Sequence, residues 1–145
     1  MKDLHSGLFA ATLIGAAVLA ADNTPTPIDL QGYDGAEVVL SVGIGGITFS
    51  GTNKIEFKLE HSADGASWSD VTDGDVLGVT VASGGLIKSL VAAHAAAATY
   101  RFGYIGSKRH LRLTADFSGT HGTGTPISAV LMLGRANVQP ADDQA

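Results

Sequence analysis

An all-β domain, an antiparallel β-sandwich of jelly-roll-like type with an extended N-terminal arm, is the fold this sequence predicts, and three observations predict it. Apolar and polar residues alternate at strand period in two places: Ile55, Phe57 and Leu59 against Glu56, Lys58 and Glu60, and Leu111, Leu113 and Ala115 against His110, Arg112 and Thr114. Glycine supplies 19 of 145 residues, near twice its usual share of about 7%, and recurs between short apolar runs as turn residues do. Helix-favouring runs are scarce, and the stretch from Ala92 to Ala98 (AAHAAAA) is too short to stand alone as a helix.

Residues 1–27 read as an N-terminal arm and linker. The apolar run from Gly7 to Leu19 has a rival reading as a secretory signal, but Asp3 offsets Lys2, and the run is shorter than the roughly 20 residues of a spanning helix. A strand or arm packed on this subunit or on a neighbour is the preferred reading, with Leu8, Phe9, Leu13 and Ile14 as its candidate partner contacts. It implies that residues 1–21 are removable with the fold intact. The stretch Asp22–Pro27 (DNTPTP) is a linker, because its prolines bias the residues before them to extended geometry and remove amide donors.

Residues 28–135 are read as the sandwich. Ala36–Val42 is a buried strand, and Gly43, Gly45 and Gly46 then mark a turn or bulge. They lack the spacing of a phosphate loop. The strand carrying Ile55, Phe57 and Leu59 leads into Asp64-Gly65, a hairpin signal, and returns through Trp68, the only tryptophan, expected to cap the core. Asp70, Asp73 and Asp75 do not meet the spacing of a calcium loop. Leu77–Val81 and Leu86–Val91 are further apolar runs.

Tyr100–Phe117 is the most patterned stretch. Tyr100, Phe102 and Tyr104 share one face of a first arm, Leu111, Leu113 and Ala115 one face of a second, and Ile105–Lys108 has the length of a tight connection; the expectation is a hairpin with Lys108 and Arg109 at or near its tip. After a loop of small polar residues, Ser118–Thr125, the last strand Ile127–Gly134 is apolar on both faces, which predicts burial between layers or under a neighbouring subunit. Residues 136–145 read as a tail.

Cysteine is absent, so there is no disulfide framework and no thiolate site. The net charge of −5 argues against general nucleic-acid binding, which needs a basic face. Charged residues make up 16% of the chain, against about 25% in ordinary domains; part of the surface is therefore expected to be covered by neighbours. The sequence has no GxSxG elbow, and its five histidines form neither HExxH nor HxH. The reading is of a non-enzyme with no catalytic residue, metal site or cofactor. The local charge anomaly is Lys108, Arg109, His110 and Arg112, read either as a solvated tip or as a salt-bridging contact to an acidic partner, with Lys108, Arg109 and Arg112 as candidate contacts.

The opening Met1-Lys2-Asp3-Leu4-His5, the corner Ile28-Asp29-Leu30-Gln31-Gly32-Tyr33, the EHSADGASWSDV hairpin and Gly103–Arg109 followed by Leu111-Arg112-Leu113 together resemble a family of small structural proteins encoded in the head modules of tailed bacteriophages and prophages, beside the major capsid gene. The resemblance spans most of the chain. It implies a mature N-terminus and a virion structural protein: a capsid decoration or cement protein on the capsid exterior, made in the bacterial host cytoplasm. Its partners would be the major capsid protein and further copies of itself, as trimers, with no direct contact to nucleic acid or membrane. Alternative readings are a carbohydrate-binding or adhesive β-sandwich on the virion, with Trp68, Tyr33 and Tyr104 as stacking platforms; a head-to-tail completion or tail component; and a secreted β-domain.

Overall fold

The computed structural model describes residues 3–138, 140 and 141; the predicted contributions of Met1, Lys2 and the end of the tail lie outside the described residues. Among the described residues a 3-10 turn, His5–Gly7, precedes ten strands: β1 (Leu8–Leu19), β2 (Ile28–Asp29), β3 (Tyr33–Val42), β4 (Lys54–Ser62), β5 (Ser69–Asp70), β6 (Val76–Leu77), β7 (Leu86–Leu90), β8 (Ala98–Tyr104), β9 (His110–Ser118) and β10 (Thr125–Ala136). They form two antiparallel sheets. One has the order β1-β10-β3-β8-β6 and is called the β1 sheet; the other, the β4 sheet, has β2-β9-β4-β5 with β7 also on β4.

With β5 and β6 set aside as an insert between β4 and β7, the other eight strands pair first with last: β1 with β10, β2 with β9, β3 with β8 and β4 with β7. Lateral pairings of β10 with β3 and of β9 with β4 close the two sheets. This is a long hairpin wound across two layers, the jelly-roll topology. The chain is all-β, as its composition and alternation predict.

The alternation explains which side chains meet between the layers. Ile55, Phe57 and Leu59 on β4 and Leu111, Leu113 and Ala115 on β9 are fully buried, facing Val38, Leu40 and Val42 on β3 and Ala129, Leu131 and Leu133 on β10. Burying each large apolar side chain contributes about 1.5–3 kcal/mol relative to exposure. The Asp64-Gly65 hairpin forms as expected: β5 returns onto β4, Gly65 has positive φ, and the Asp64 carboxylate accepts from the Ala66 and Ser67 amides at 2.9 and 2.8 Å.

Three expectations are corrected. Tyr100–Phe117 is not a hairpin: β8 pairs with β3 and β6 in one sheet, whereas β9 pairs with β2 and β4 in the other. Phe102 and Tyr104 share one core with Leu111 and Leu113 from the opposite sheet, and Ile105–Arg109 is the crossover. Of the strand and the arm read for the N-terminal run, the strand packed on this subunit is the one that forms, and it is not separable from the domain. It is a strand of the β1 sheet, and its register shifts on either side of Ile14 let Leu13 and Ile14 both turn into the core, 1% and 5% exposed. Removing residues 1–21 would therefore open the core. Trp68 does not cap the core; it is half-buried on the outside of the β4 sheet. Within one chain β10 is buried on its inner face, and its outward Val130 and Met132 are half-buried, which leaves cover by a neighbouring subunit as the other half of the expectation.

Close approach of the loops at one end explains two glycines. A Cβ on Gly46 would lie 2.3 Å from Thr123 Oγ1 and 2.8 Å from the Gly124 carbonyl, and one on Gly124, at φ +85°, would lie 2.7 Å from the Leu19 carbonyl. The GIGG stretch thus packs against the loop that locks the end of β1.

Candidate interaction surface

The outward faces of the two sheets differ in kind. On the β4 sheet, Lys54, Glu56, Lys58 and Glu60 alternate with the buried residues of β4, and Arg112 and Asp116 do so on β9. Glu60 and Arg112 are cross-strand partners joined by two hydrogen bonds of 2.8 and 3.0 Å, donated by Nε and Nη2 of Arg112. Lys58 donates to Asp116, which raises the Lys58 pKa through that hydrogen bond, and Lys54 Nζ lies 2.6 Å from Glu56. The Arg112 guanidinium sits 4.3 Å over the Trp68 ring. This is a solvated, internally neutralised face.

Outward positions of the β1 sheet form rows fixed by register. One row is Thr12, Val130, Val39 and Arg101; the next is Met132, Glu37, Gly103 and Leu77; a third is Ser128, Ser41 and Thr99, whose Ser41 and Thr99 hydroxyls lie 3.2 Å apart. Leu8 covers Gly134 at one end. At the other, Ala16, Val18, Ala97, Ala98 and Pro126 line an uncharged depression of about 460 Å³. The only charges on these rows are Glu37 and Arg101, 3.6 Å apart, with the Arg101 side chain 81% exposed.

The sheet edges differ as well. Beyond its two-residue pairing with β2, the edge of β9 is sealed by side chains of the preceding linker: Asn23 Nδ2 donates to the Leu113 carbonyl at 3.2 Å, Asn23 Oδ1 accepts from the Ala115 amide at 2.7 Å, and Asp22 accepts from the Phe117 amide at 2.7 Å. Asn23 imitates a strand. The outer edge of β1 from Thr12 to Leu19 pairs with no other described strand and carries no charge and no proline. Val18 is 62% exposed there. Native proteins blunt such edges when they are meant to stay solvated.

The predicted contacts fall in separate places. Leu8 lies on the outward face of the β1 sheet, Phe9 packs half-buried with its ring 6.1 Å from that of Tyr33, and Leu13 and Ile14 belong to the core. Arg109 is neutralised by Asp29, to which it donates from Nε at 2.8 Å and from Nη2 at 2.5 Å. Those hydrogen bonds hold the Asp29 pKa down to about 2 against its partial burial. Arg112 is taken by Glu60, so of the three cations Lys108 alone has no ion pair among the described residues.

Lys108 and Arg109 border a groove of about 590 Å³ with Leu30, Tyr33 and Ile105. Tyr104, at its base, is only 6% exposed; its hydroxyl lies 3.0 Å from His61 Nδ1 and accepts from the Lys108 amide at 3.1 Å, so its ring offers no stacking platform. Burial raises its pKa. Asp73 and Asp75 accept from the Val81 and Thr72 amides as loop caps, and no cluster of acidic or histidine side chains among the described residues has the geometry of a metal site. No described helix is long and apolar enough to cross a membrane.

The open edge and the linker plug escaped sequence reasoning. DNTPTP had a usable signal, since Asp and Asn side chains hydrogen-bond readily to backbone, but the strand they serve lies some 90 residues away. Comparison of the chain with protein-family models, with curated proteins and with solved structures finds no match.

Proposed function

We propose that this chain is a bacteriophage virion structural protein, a capsid decoration or cement protein that binds the major capsid protein lattice from outside and stabilises the head. The observation that carries the reading is the open, charge-free edge of β1 from Thr12 to Leu19 in a sandwich that plugs the edge of β9 with Asp22 and Asn23. Jelly rolls build viral shells and lectins alike, so topology by itself does not choose between them. The edge favours assembly over saccharide binding, because strand addition uses main-chain hydrogen bonds and needs no aromatic platform.

The mechanism is passive. An extended segment of the lattice adds to β1, apolar residues at the junction leave water, and no buried charge has to be desolvated. Each bound copy bridges shell subunits and resists their separation. The test is co-sedimentation of purified protein with capsids lacking it. Ala16→Lys and Val18→Lys place charge at exposed edge positions, and each is expected to weaken binding about tenfold or more with an unchanged melting curve. Wild-type protein that fails to bind the shell overturns the decoration reading; lysine variants that decorate fully overturn the edge as the contact.

A further inference from the structure

The groove beside Lys108 takes no part in the contact at the β1 edge, and both of its walls are fixed by the fold. One wall is the corner of residues 30–35. There the Leu30 amide donates to the Arg109 carbonyl and the Asn137 amide to the Gly32 carbonyl, each at 2.8 Å, and the Gln31 amide donates to Asp29 at 2.9 Å. The other wall is the crossover, where the Ile105 amide donates to the Asp75 carbonyl at 2.8 Å and the Lys108 amide to the Tyr104 hydroxyl at 3.1 Å. Such a groove needs little ordering when a ligand enters. Its volume of about 590 Å³ is that of a small-ligand site.

Five polar residues line it: Gln31, Asp34, Ser107, Lys108 and Asn137. Their side chains have no hydrogen-bond or ion-pair partner among the described residues. Apolar surface lies between them, with Ile105 58% exposed and the Tyr33 ring braced by Phe9 at 6.1 Å. The charges have both signs. Arg109 is cancelled by Asp29, Asp34 and Lys108 are unpaired among the described residues, and Arg135, packed over Gly35 beside the groove, is a second unpaired cation. A simple anion would therefore face Asp34 unmatched, and a simple cation would face Lys108 and Arg135. A wholly apolar ligand would strand all five polar side chains. Hydroxyl groups donate and accept alike, so they answer Asp34 as donors, Lys108 as acceptors, and the Gln31 and Asn137 amides as either. The C–H face of a sugar ring covers the Tyr33 ring. We infer that this groove binds an oligosaccharide, with Tyr33 as its platform and Asp34 and Lys108 as its polar anchors. The groove lies at the Leu8–Gly134 end of the β1 sheet, away from the Leu19–Thr125 end, so the inference does not depend on capsid binding.

A printed array of neutral and uronate-bearing oligosaccharides, probed with the labelled full chain, tests it, followed by isothermal titration of an oligosaccharide that binds. The expected result is retention of a subset of the array. Asp34→Ala and Lys108→Ala remove exposed polar anchors and are each expected to weaken the titrated affinity about tenfold or more; circular dichroism checks the fold of each variant. Trp68→Ala, on the outside of the β4 sheet, serves as a control that leaves the affinity unchanged. An array that retains nothing overturns the inference, as do folded Asp34→Ala and Lys108→Ala variants that bind like the wild type, or binding that Trp68→Ala abolishes. A chain that decorates capsids and binds no saccharide refutes the groove alone; a chain that binds saccharide and ignores capsids refutes the decoration reading alone.

Discussion

The two sheets of this sandwich bury equivalent cores and present opposite exteriors. Outside the β4 sheet, each charge on a central strand is matched by a neighbour: Glu60 by Arg112, Lys58 by Asp116, Glu56 by Lys54. Outside the β1 sheet the same strand period delivers Val39, Val130, Met132, Ser128 and Thr99, with one loose ion pair among the described residues and Arg135 over Gly35 at one end. The contrast extends to the edges, one plugged by Asn23 and one left open. A low overall charge is thus not spread evenly; it is concentrated as an absence on one layer. That layer has the least charge to desolvate were it covered.

Breaking the comparison most severely means removing β1's share of the core. Leu13→Ala is expected to cost about 2–5 kcal/mol in chemical denaturation, as for other fully buried leucines, since Leu13 is 1% exposed. A change near zero would restore the reading of residues 1–27 as a separable arm.

On the charged face, Arg112→Ala removes both hydrogen bonds to Glu60 and the cation over Trp68; about 1–2 kcal/mol of stability should be lost. The smaller acid response belongs to Asp29. Its pKa is lowered from 3.8 to about 2 by Arg109, so its contribution is fully present above pH ~4 and is lost as the pH falls toward about 2. With the pair nearly half exposed, the contribution is below about 1 kcal/mol. Arg109→Gln should flatten that part of the acid limb, and an identical acid limb in the variant would remove Asp29 as its source.

Least of all should be the effect of Arg101→Ala on the monomer, under about 0.5 kcal/mol, because its ion pair is exposed. Equal costs for Arg101→Ala and Arg112→Ala would erase the distinction between the faces.

The strand period made one half of this architecture legible. Ile55, Phe57, Leu59, Leu111, Leu113 and Ala115 face the core as alternation requires, and the Asp64-Gly65 turn forms where its chemistry directs. Period assigns a face but not a partner, which is why β8 and β9, separated by five residues, read as a hairpin and in fact belong to opposite sheets. First-with-last pairing has no local signature: Leu8 meets Gly134, and Ile28 meets Leu111. The N-terminal run left strand and arm both open for a related reason. An edge strand with two register shifts loses the clean alternation that marks a strand, and Leu13 and Ile14 both turning inward looks, in sequence, like an apolar arm. Among the candidate contacts, Arg109 and Arg112 were visible as charges, but their neutralisation by Asp29 and Glu60 depends on pairings across the fold.

The measurement that bears most directly on the account is a cryo-electron microscopy map of purified particles carrying this chain. Density at icosahedrally repeated positions on the shell exterior, with β1's open edge against the lattice and the ion-paired β4 sheet toward solvent, is the predicted result. Density confined to the tail vertex, or copies seated on the shell through Glu60, Arg112 and Trp68, would contradict it.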